Sequence, residues 1–345
     1  MDVSIIIVNY NSIDLTIDCV NSIFQQTADV KFEIIIVDNA SKNKEAERLQ
    51  AEFENSVKMI EAKTNLGFGK ANNLGTKYAA GDYVFFLNPD TVLMNNAVKI
   101  LWEEMKNNPD MGCTGGNLYT PERMPCPSFC LRFDDLGTEK SYASWRYLML
   151  SKAEQKLYRK HPALQIRRKD FNDTNQKIEV AYIFGADMMV KKKLFEQLGG
   201  FDEEHFAYLE DIDLGYRAQI AGYDNWYLPK AGVYHVGSGT SGSRYNQFKI
   251  RYSSRNNVYM LYKNMPLLQI LLNLPFLVLG FTVKLIFFAS KKYGREYAAG
   301  IKNGFSLCKK DKKVPFLWKN LPNYGKIQLQ LWINVIRRFD VTVHW

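Results

Sequence analysis

The 345-residue chain is 46% apolar and carries a net charge of +9. That length accommodates one α/β domain of roughly 200–250 residues plus an appendage, and the composition excludes global disorder. Five cysteines, odd in number and without a CxxC pair, argue against a zinc site and fit a reducing cytoplasm. The charge is localised: from Lys284 onward there are 13 Lys and Arg against three acids, and the rest is close to neutral.

In chain order, Val3–Val8 is a β-branched run ending at Asn9-Tyr10-Asn11. It is too short and lacks the basic flank of a secretory signal, so it reads as a buried strand. Asp14–Gln26 has the helical period, with Leu15, Cys19 and Ile23 on one face. Phe32–Val37 is a second strand, closed by Asp38-Asn39; Glu45–Phe53 is an amphipathic helix and Val57–Ile60 a third strand. Lys70–Ala80 is helical, Tyr83–Leu87 is a fourth strand ending at Asn88-Pro89-Asp90, and Ala97–Lys106 is helical. Short apolar strands alternating with helices predict a mostly parallel sheet covered on both faces.

Residues 113–177 are less regular and read as an insertion between a first half (1–112) and a second (178–260). In that second half, Ile178–Phe184 reads as a strand and Lys191–Leu198 as a helix ended by Gly199-Gly200. Asp211–Ala221 is a helix and Trp226–Leu228 a short strand, and His235 closes the next apolar step. From 261 to 345 the chain reads as a helical, basic region.

Asn9, Asp38 and Asp90 sit at C-terminal strand ends, where open α/β sheets bind ligands. Asp38 is either a turn residue or an acceptor for a ligand. In Asn65-Leu66-Gly67-Phe68-Gly69-Lys70, two glycines permit close backbone approach, and Lys70 at a helix start would favour an anion. Asp90, on a proline turn, suits a divalent cation that neutralises a diphosphate, or is simply a turn residue. Glu210, Asp211 and Asp213 crowd a helix start; the dipole alone favours acids there, and the same field would tune a catalytic base. His235 is a structural residue or a second ligand to a cation at Asp90. Arg251 and Arg255, four apart, share a helix face that either grips a phosphate or pyrophosphate or is simply a solvated, salt-bridged face.

Seven stretches in order carry a resemblance: Ser4–Asn11, Val37–Ser41, Asn65–Gly69, Leu87–Thr91, Gly199–Asp202, Leu209–Leu214 and His235. Together they resemble the family 2 inverting glycosyltransferases of the GT-A fold, over roughly residues 3–260, in the rhamnosyltransferase-like and galactofuranosyltransferase-like branch. The resemblance implies a Rossmann-like sheet and a nucleotide-sugar donor held at Asp38, with Asn9 and Asn65 nearby. Asp90 matches the last position of the family's DXD metal motif, whereas Asn88 replaces its first Asp and Pro89 fills the middle. That departure leaves fewer charges for Mg²⁺ or Mn²⁺ and gives His235 more weight. Asp211 matches the catalytic base, and Glu210 would support it or bind acceptor. The implied reaction moves a sugar, rhamnose from dTDP-rhamnose first and galactofuranose or a hexose from a UDP-sugar second, onto a glycan or polyprenyl-linked glycan. A sugar-nucleotide- or polysaccharide-binding module without catalysis is the competing class, against which the set Asp90, Asp211 and His235 argues.

Lys263 and Lys284 bracket an uncharged, Leu- and Phe-rich run. It is long enough to span a bilayer, yet Pro266, Gln269, Asn273, Pro275 and Gly280 interrupt it. A spanning helix, a core or homodimer helix and an in-plane segment are the three readings. The cationic tail favours the last, hence peripheral attachment at an anionic cytoplasmic membrane face. The same charge without an interleaved aromatic reading motif does not indicate nucleic acid.

Overall fold

The structure, a computed structural model, describes residues 1–120, 129–130, 177–236 and 245–339. The described residues fall into two compact units, 1–120, 129 and 177–236 in the first and 130 and 245–339 in the second.

In the first unit the opening alternation follows the apolar period. It runs β1 (Val3–Asn9), α1 (Ile13–Gln26), β2 (Phe32–Asp38), α2 (Glu45–Phe53), β3 (Lys58–Glu61), α3 (Phe68–Thr76) and β4 (Tyr83–Leu87). Strand β1 lies between β2 and β4, parallel to both, and every one of its residues is buried. A strand covered on both faces has no polar side to alternate with, which is why Ile5-Ile6-Ile7 reads as a continuous run. Ile5, Ile7, Ile34, Ile36 and Phe85 pack with Cys19 and Ile23 of α1 and Leu49 of α2. Each such side chain contributes about 1.5–3 kcal/mol on burial.

Then follow β5 (Thr91–Leu93), α4 (Ala97–Asn107), β6 (Met111–Tyr119), β7 (Phe129–Cys130), β8 (Ile178–Val180), β9 (Tyr182–Ile183), β10 (Asp187–Lys191), α5 (Lys192–Gln197), α6 (Glu210–Ile220) and β11 (Asp224–His235). The main sheet has the order β3-β2-β1-β4-β10-β6-β11-β5, with β8 also on β11. It is mixed. Strand β10 runs antiparallel to β4 and β6, and β11 is parallel to β6 but antiparallel to β5 and β8.

Three expectations change here. The irregular stretch beginning at 113 is at first a central strand, β6, and most of the remainder of 113–177 lies outside the described residues. Its glycines signal crowding rather than a turn: a Cβ on Gly115 would overlap Ile183 and lie 2.8 Å from the Asp187 carbonyl, and one on Gly116 would overlap the Ala231 carbonyl. The step 178–184 is two short strands. The short strand at 226–228 is part of a long β11 whose register shifts between Tyr227 and Gly232.

The second unit is helical: α7 (Gln247–Asn264), α8 (Leu267–Ser290), α9 (Gly294–Leu307) and α10 (Leu321–Phe339). Helix α7, which the boundary at 260 would divide, belongs here as a whole. Its Asn246 cap accepts from Lys249 N–H at 2.8 Å. A Cβ on Gly300 or Gly304 of α9 would lie 2.5 Å from the carbonyls of Arg251 or Arg255, so α7 and α9 touch backbone to backbone.

Candidate functional site

The site is assembled at the C-terminal ends of β1, β2 and β4. Asn9, fully buried, is saturated. Its Nδ2 donates to Asp38 Oδ1 at 2.8 Å, Ser41 Oγ at 3.1 Å and Glu45 Oε2 at 2.9 Å, and its Oδ1 accepts from Ser12 and Thr16. Asn9 therefore orients the Asp38 carboxylate, whose Oδ2 accepts Ser41 N–H at 3.0 Å. A neighbour that sequence reading passed over, Asn39, takes Leu66 N–H on its Oδ1 at 2.8 Å and donates to Asn65 Oδ1 at 3.1 Å. It joins the end of β2 to the glycine loop.

That loop is fixed from the other side as well. Gly67 has φ +77°, and any side chain there would collide with the Phe206 carbonyl. Phe68 N–H donates to that same carbonyl at 2.7 Å. Asn73 holds both the N–H and the carbonyl of Phe201, and Phe201 packs edge-on against Phe86. One α3 N-terminal donor is thus taken by protein, and Lys70 pairs with Glu203 at 3.0 Å. Both members of that pair are about half exposed.

The acids at the start of α6 follow a bent stretch in which Phe206, Tyr208 and Leu209 all have positive φ. Such backbone costs of order 1–3 kcal/mol per residue and persists where surroundings impose it. Here it delivers Glu210 and Asp211 to the sheet end. Asp211 Oδ2 accepts Gly185 N–H at 3.1 Å and its Oδ1 accepts Ile212 N–H at 2.8 Å. Burial raises its pKa, and these two bonds moderate the rise. Glu210 is 7% exposed, and its Oε2 has no hydrogen-bond partner among the described residues. Burial first, then the Asp211 charge, pushes its carboxyl from 4.5 up to about 8. Of the adjacent acids, Asp211 is the one equipped to stay ionised. Asp213 turns away and is bound by Arg217 at 2.6 Å, while Arg217 also donates to the Gly200 carbonyl.

Gly185 leads directly to the metal candidates. Its neighbour Ala186 accepts Asn88 N–H at 3.0 Å, so Asp211 and the Asn88-Pro89-Asp90 turn hang from consecutive residues. Asp90 is buried, and His235 Nε2 lies 3.4 Å from its Oδ1. The antiparallel β5–β11 pair sets Thr91 opposite His235, and Val236 N–H donates to the Asp90 carbonyl at 3.0 Å. Two ligand atoms at adjacent corners of an octahedron around a small divalent ion stand about 3 Å apart, so this mixed oxygen–nitrogen pair fits one. Asp202, His205 and Asp213 form a second group whose ligand atoms lie within 4.8 Å of one another. There the Arg217 guanidinium already covers Asp213.

Asp187 was not singled out from sequence. It is fully buried opposite Leu87, and its Oδ2 accepts Gly116 N–H at 2.7 Å. Burial raises its pKa well above the ordinary Asp value, and the Gly116 bond moderates the rise. Arg251 and Arg255 lie on α7 in the second unit.

Two family models match the chain, "Glycosyl transferase family 2" over residues 4–127 and "Glycosyl transferase family group 2" over 140–307. The chain is similar to an N-acetylglucosaminyl-diphospho-decaprenol L-rhamnosyltransferase of Mycobacterium tuberculosis, 26% identical over 220 residues, covering 61% of this chain and 68% of the relative. It is also similar to rhamnosyltransferase WbbL of Escherichia coli, 25% identical over 177 residues, with 49% and 60% covered. Among solved structures, Staphylococcus aureus TarS aligns with a TM-score of 0.55 at 15% identity, over 97% of this chain and 54% of TarS. GalNAc-T7 with UDP, GalNAc and Mn²⁺ aligns with a TM-score of 0.53 at 18% identity, over 76% of this chain and 47% of that protein. The structural likenesses show a shared fold.

Proposed function

The chain belongs to glycosyltransferase family 2, in its rhamnosyltransferase-like branch, and from that premise we propose that it transfers rhamnose from dTDP-rhamnose to a glycan carried on a polyprenyl diphosphate. The observation that carries the reading is the pairing of Gly185 N–H with Asp211 and of Ala186 with Asn88, which supports Asp211 as a general base working with the Asp90–His235 pair. A half-buried carboxylate held by two backbone N–H donors beside a second acid supports a general base rather than a sugar-nucleotide-binding module.

In the proposed reaction Asp211 takes the proton of an acceptor hydroxyl as that oxygen attacks the anomeric carbon. The bond from that carbon to the donor diphosphate breaks, the electron pair leaves with the diphosphate, and the configuration inverts. Gly185 N–H and Ile212 N–H hold Asp211 in line. Glu210, protonated, adds no second negative charge and is placed to donate a hydrogen bond. Asp38, oriented by Asn9 and Ser41, takes the nucleotide base. Asp90 and His235 would hold Mg²⁺ or Mn²⁺, which supplies positive charge for the departing diphosphate.

The acceptor class is drawn from the mycobacterial relative, whose name specifies a diphospho-decaprenol, and from α8. That helix is long and apolar enough to cross a membrane. Of the residues that interrupt it in sequence, Gln269, Asn273 and Gly280 face inward and Pro275 is exposed, and Asn273 and Gln328 of α10 exchange hydrogen bonds at 2.8 and 3.0 Å. Leu267, Leu268, Leu271, Leu272, Val278 and Leu279 face outward. An outward apolar face followed by a cationic tail supports attachment to a membrane surface.

A panel of nucleotide sugars scored by thermal unfolding with Mg²⁺ or Mn²⁺ tests the reading, because a ligand bound only by the native state stabilises it. dTDP-rhamnose is expected to raise the midpoint most. A larger shift with a UDP-sugar favours a galactofuranosyl or hexosyl donor, and no shift with any nucleotide sugar contradicts the proposal.

A further inference from the structure

The second unit contains a cleft of about 410 Å³ between α7 and α9. Phe248, Arg251, Tyr252 and Arg255 line it from α7, and Glu296 and Asn303 from α9. Its walls are set by backbone: Gly300 and Gly304 bring α9 against the carbonyls of Arg251 and Arg255 themselves. The aromatic side is organised too. The Phe248 and Tyr252 rings lie 4.5 Å apart, and the Arg255 guanidinium sits 4.7 Å over Tyr252.

We infer that this cleft binds the diphosphate of the lipid-borne acceptor, an inference that rests on the polyprenyl-linked reading above. Two guanidinium groups one helical turn apart match two adjacent phosphates, and Arg255 is held in place by the bond from its Nε to Asn256 Oδ1 at 2.9 Å. A cleft of this volume holds a diphosphate and the first sugar. Glu296 and Asn303 provide an acceptor and an amide for sugar hydroxyls, and the Phe248–Tyr252 pair offers an apolar face to a sugar ring. The same unit carries α8, whose outward leucines give a prenyl chain an apolar neighbour. A diphosphate also belongs to the nucleotide donor, so the experiment separates the two sources.

The full chain is titrated with farnesyl diphosphate in phosphatidylcholine vesicles and, separately, with dTDP. Wild type is compared with Arg251→Gln, Arg255→Gln and the double variant, each checked for cooperative unfolding. The double variant is expected to lose at least tenfold in farnesyl diphosphate affinity while dTDP affinity stays within twofold. Inorganic pyrophosphate is expected to displace the lipid, whereas farnesol without its phosphates should bind wild type and variants alike. Unchanged farnesyl diphosphate affinity in the variants overturns the inference, as does an equal loss for dTDP, which would put the arginines on the donor. Arg251 is exposed, so Arg251→Gln alone keeps the test open if the Arg255 change disturbs folding. A wild type that binds nucleotide sugar but no farnesyl diphosphate refutes this inference and leaves the transferase reading standing; one that binds only farnesyl diphosphate does the reverse.

Discussion

Glu210 and Asp211 are adjacent and carry the same group, yet they are solvated differently. Asp211 receives two backbone N–H donors, whereas Glu210 buries an oxygen with no partner among the described residues. The difference has a thermodynamic signature. In the unfolded chain Glu210 releases its proton near 4.5; in the folded protein it keeps it to about 8. Its contribution is full below the lower value and is lost as pH rises through the higher one. Urea unfolding at a series of pH values should show stability falling across that window, and Glu210→Gln should flatten the slope. An identical slope in the variant contradicts the assignment of a protonated Glu210. His235 supplies a second residue-scale prediction. His235→Ala should raise the Mn²⁺ concentration for half-maximal activity at least tenfold, a change of about 1.4 kcal/mol at 25 °C; an unchanged metal requirement would remove it from the ligand set. Sequence could nominate Asp38, Asp90, Asp211 and His235 because strand ends and acid-rich helix starts are local patterns. It could not nominate Asn39, Gly185 or Asp187, because each acts through a bond to a residue distant in the chain.

At the scale of elements, the parallel half of the sheet was legible because continuous burial leaves continuous apolar runs. Strands β6 and β10 were not. Gly112–Gly116 has no apolar period, since the space a side chain would occupy belongs to Ile183, Asp187 and Ala231. A change of strand direction likewise leaves no local mark. The glycine loop is the clearest case of an element held by a distant carbonyl. Gly67→Ala would add strain at φ +77° and a clash with Phe206, and should cost about 1–3 kcal/mol. Because Phe206 precedes the Glu210-Asp211 turn, the change should lower kcat as well as the unfolding midpoint. A midpoint and kcat both within error of wild type would contradict a tight loop contact.

For the whole molecule, the charge count placed the excess cations after Lys284, and the structure adds that the polar interruptions of α8 point inward. Of the features that made a bilayer contact look doubtful in one dimension, Gln269, Asn273 and Gly280 lie on a buried stripe, whereas Pro275 is exposed. Replacing Leu271, Leu272, Val278 and Leu279 together by Gln should release the protein from anionic vesicles in a flotation assay, with catalytic turnover on a soluble acceptor retained. Continued flotation would locate membrane contact elsewhere. In the proposed reaction Asp211 drives sugar transfer to an acceptor hydroxyl. The most direct measurement is acceptor-dependent release of nucleoside diphosphate from dTDP-rhamnose by wild type and by Asp211→Asn, with a polyprenyl diphosphate-linked sugar as acceptor. Turnover in the variant is predicted to fall by about two to four decades, the range of a general base, while donor binding persists. Near-normal turnover in Asp211→Asn would contradict the account.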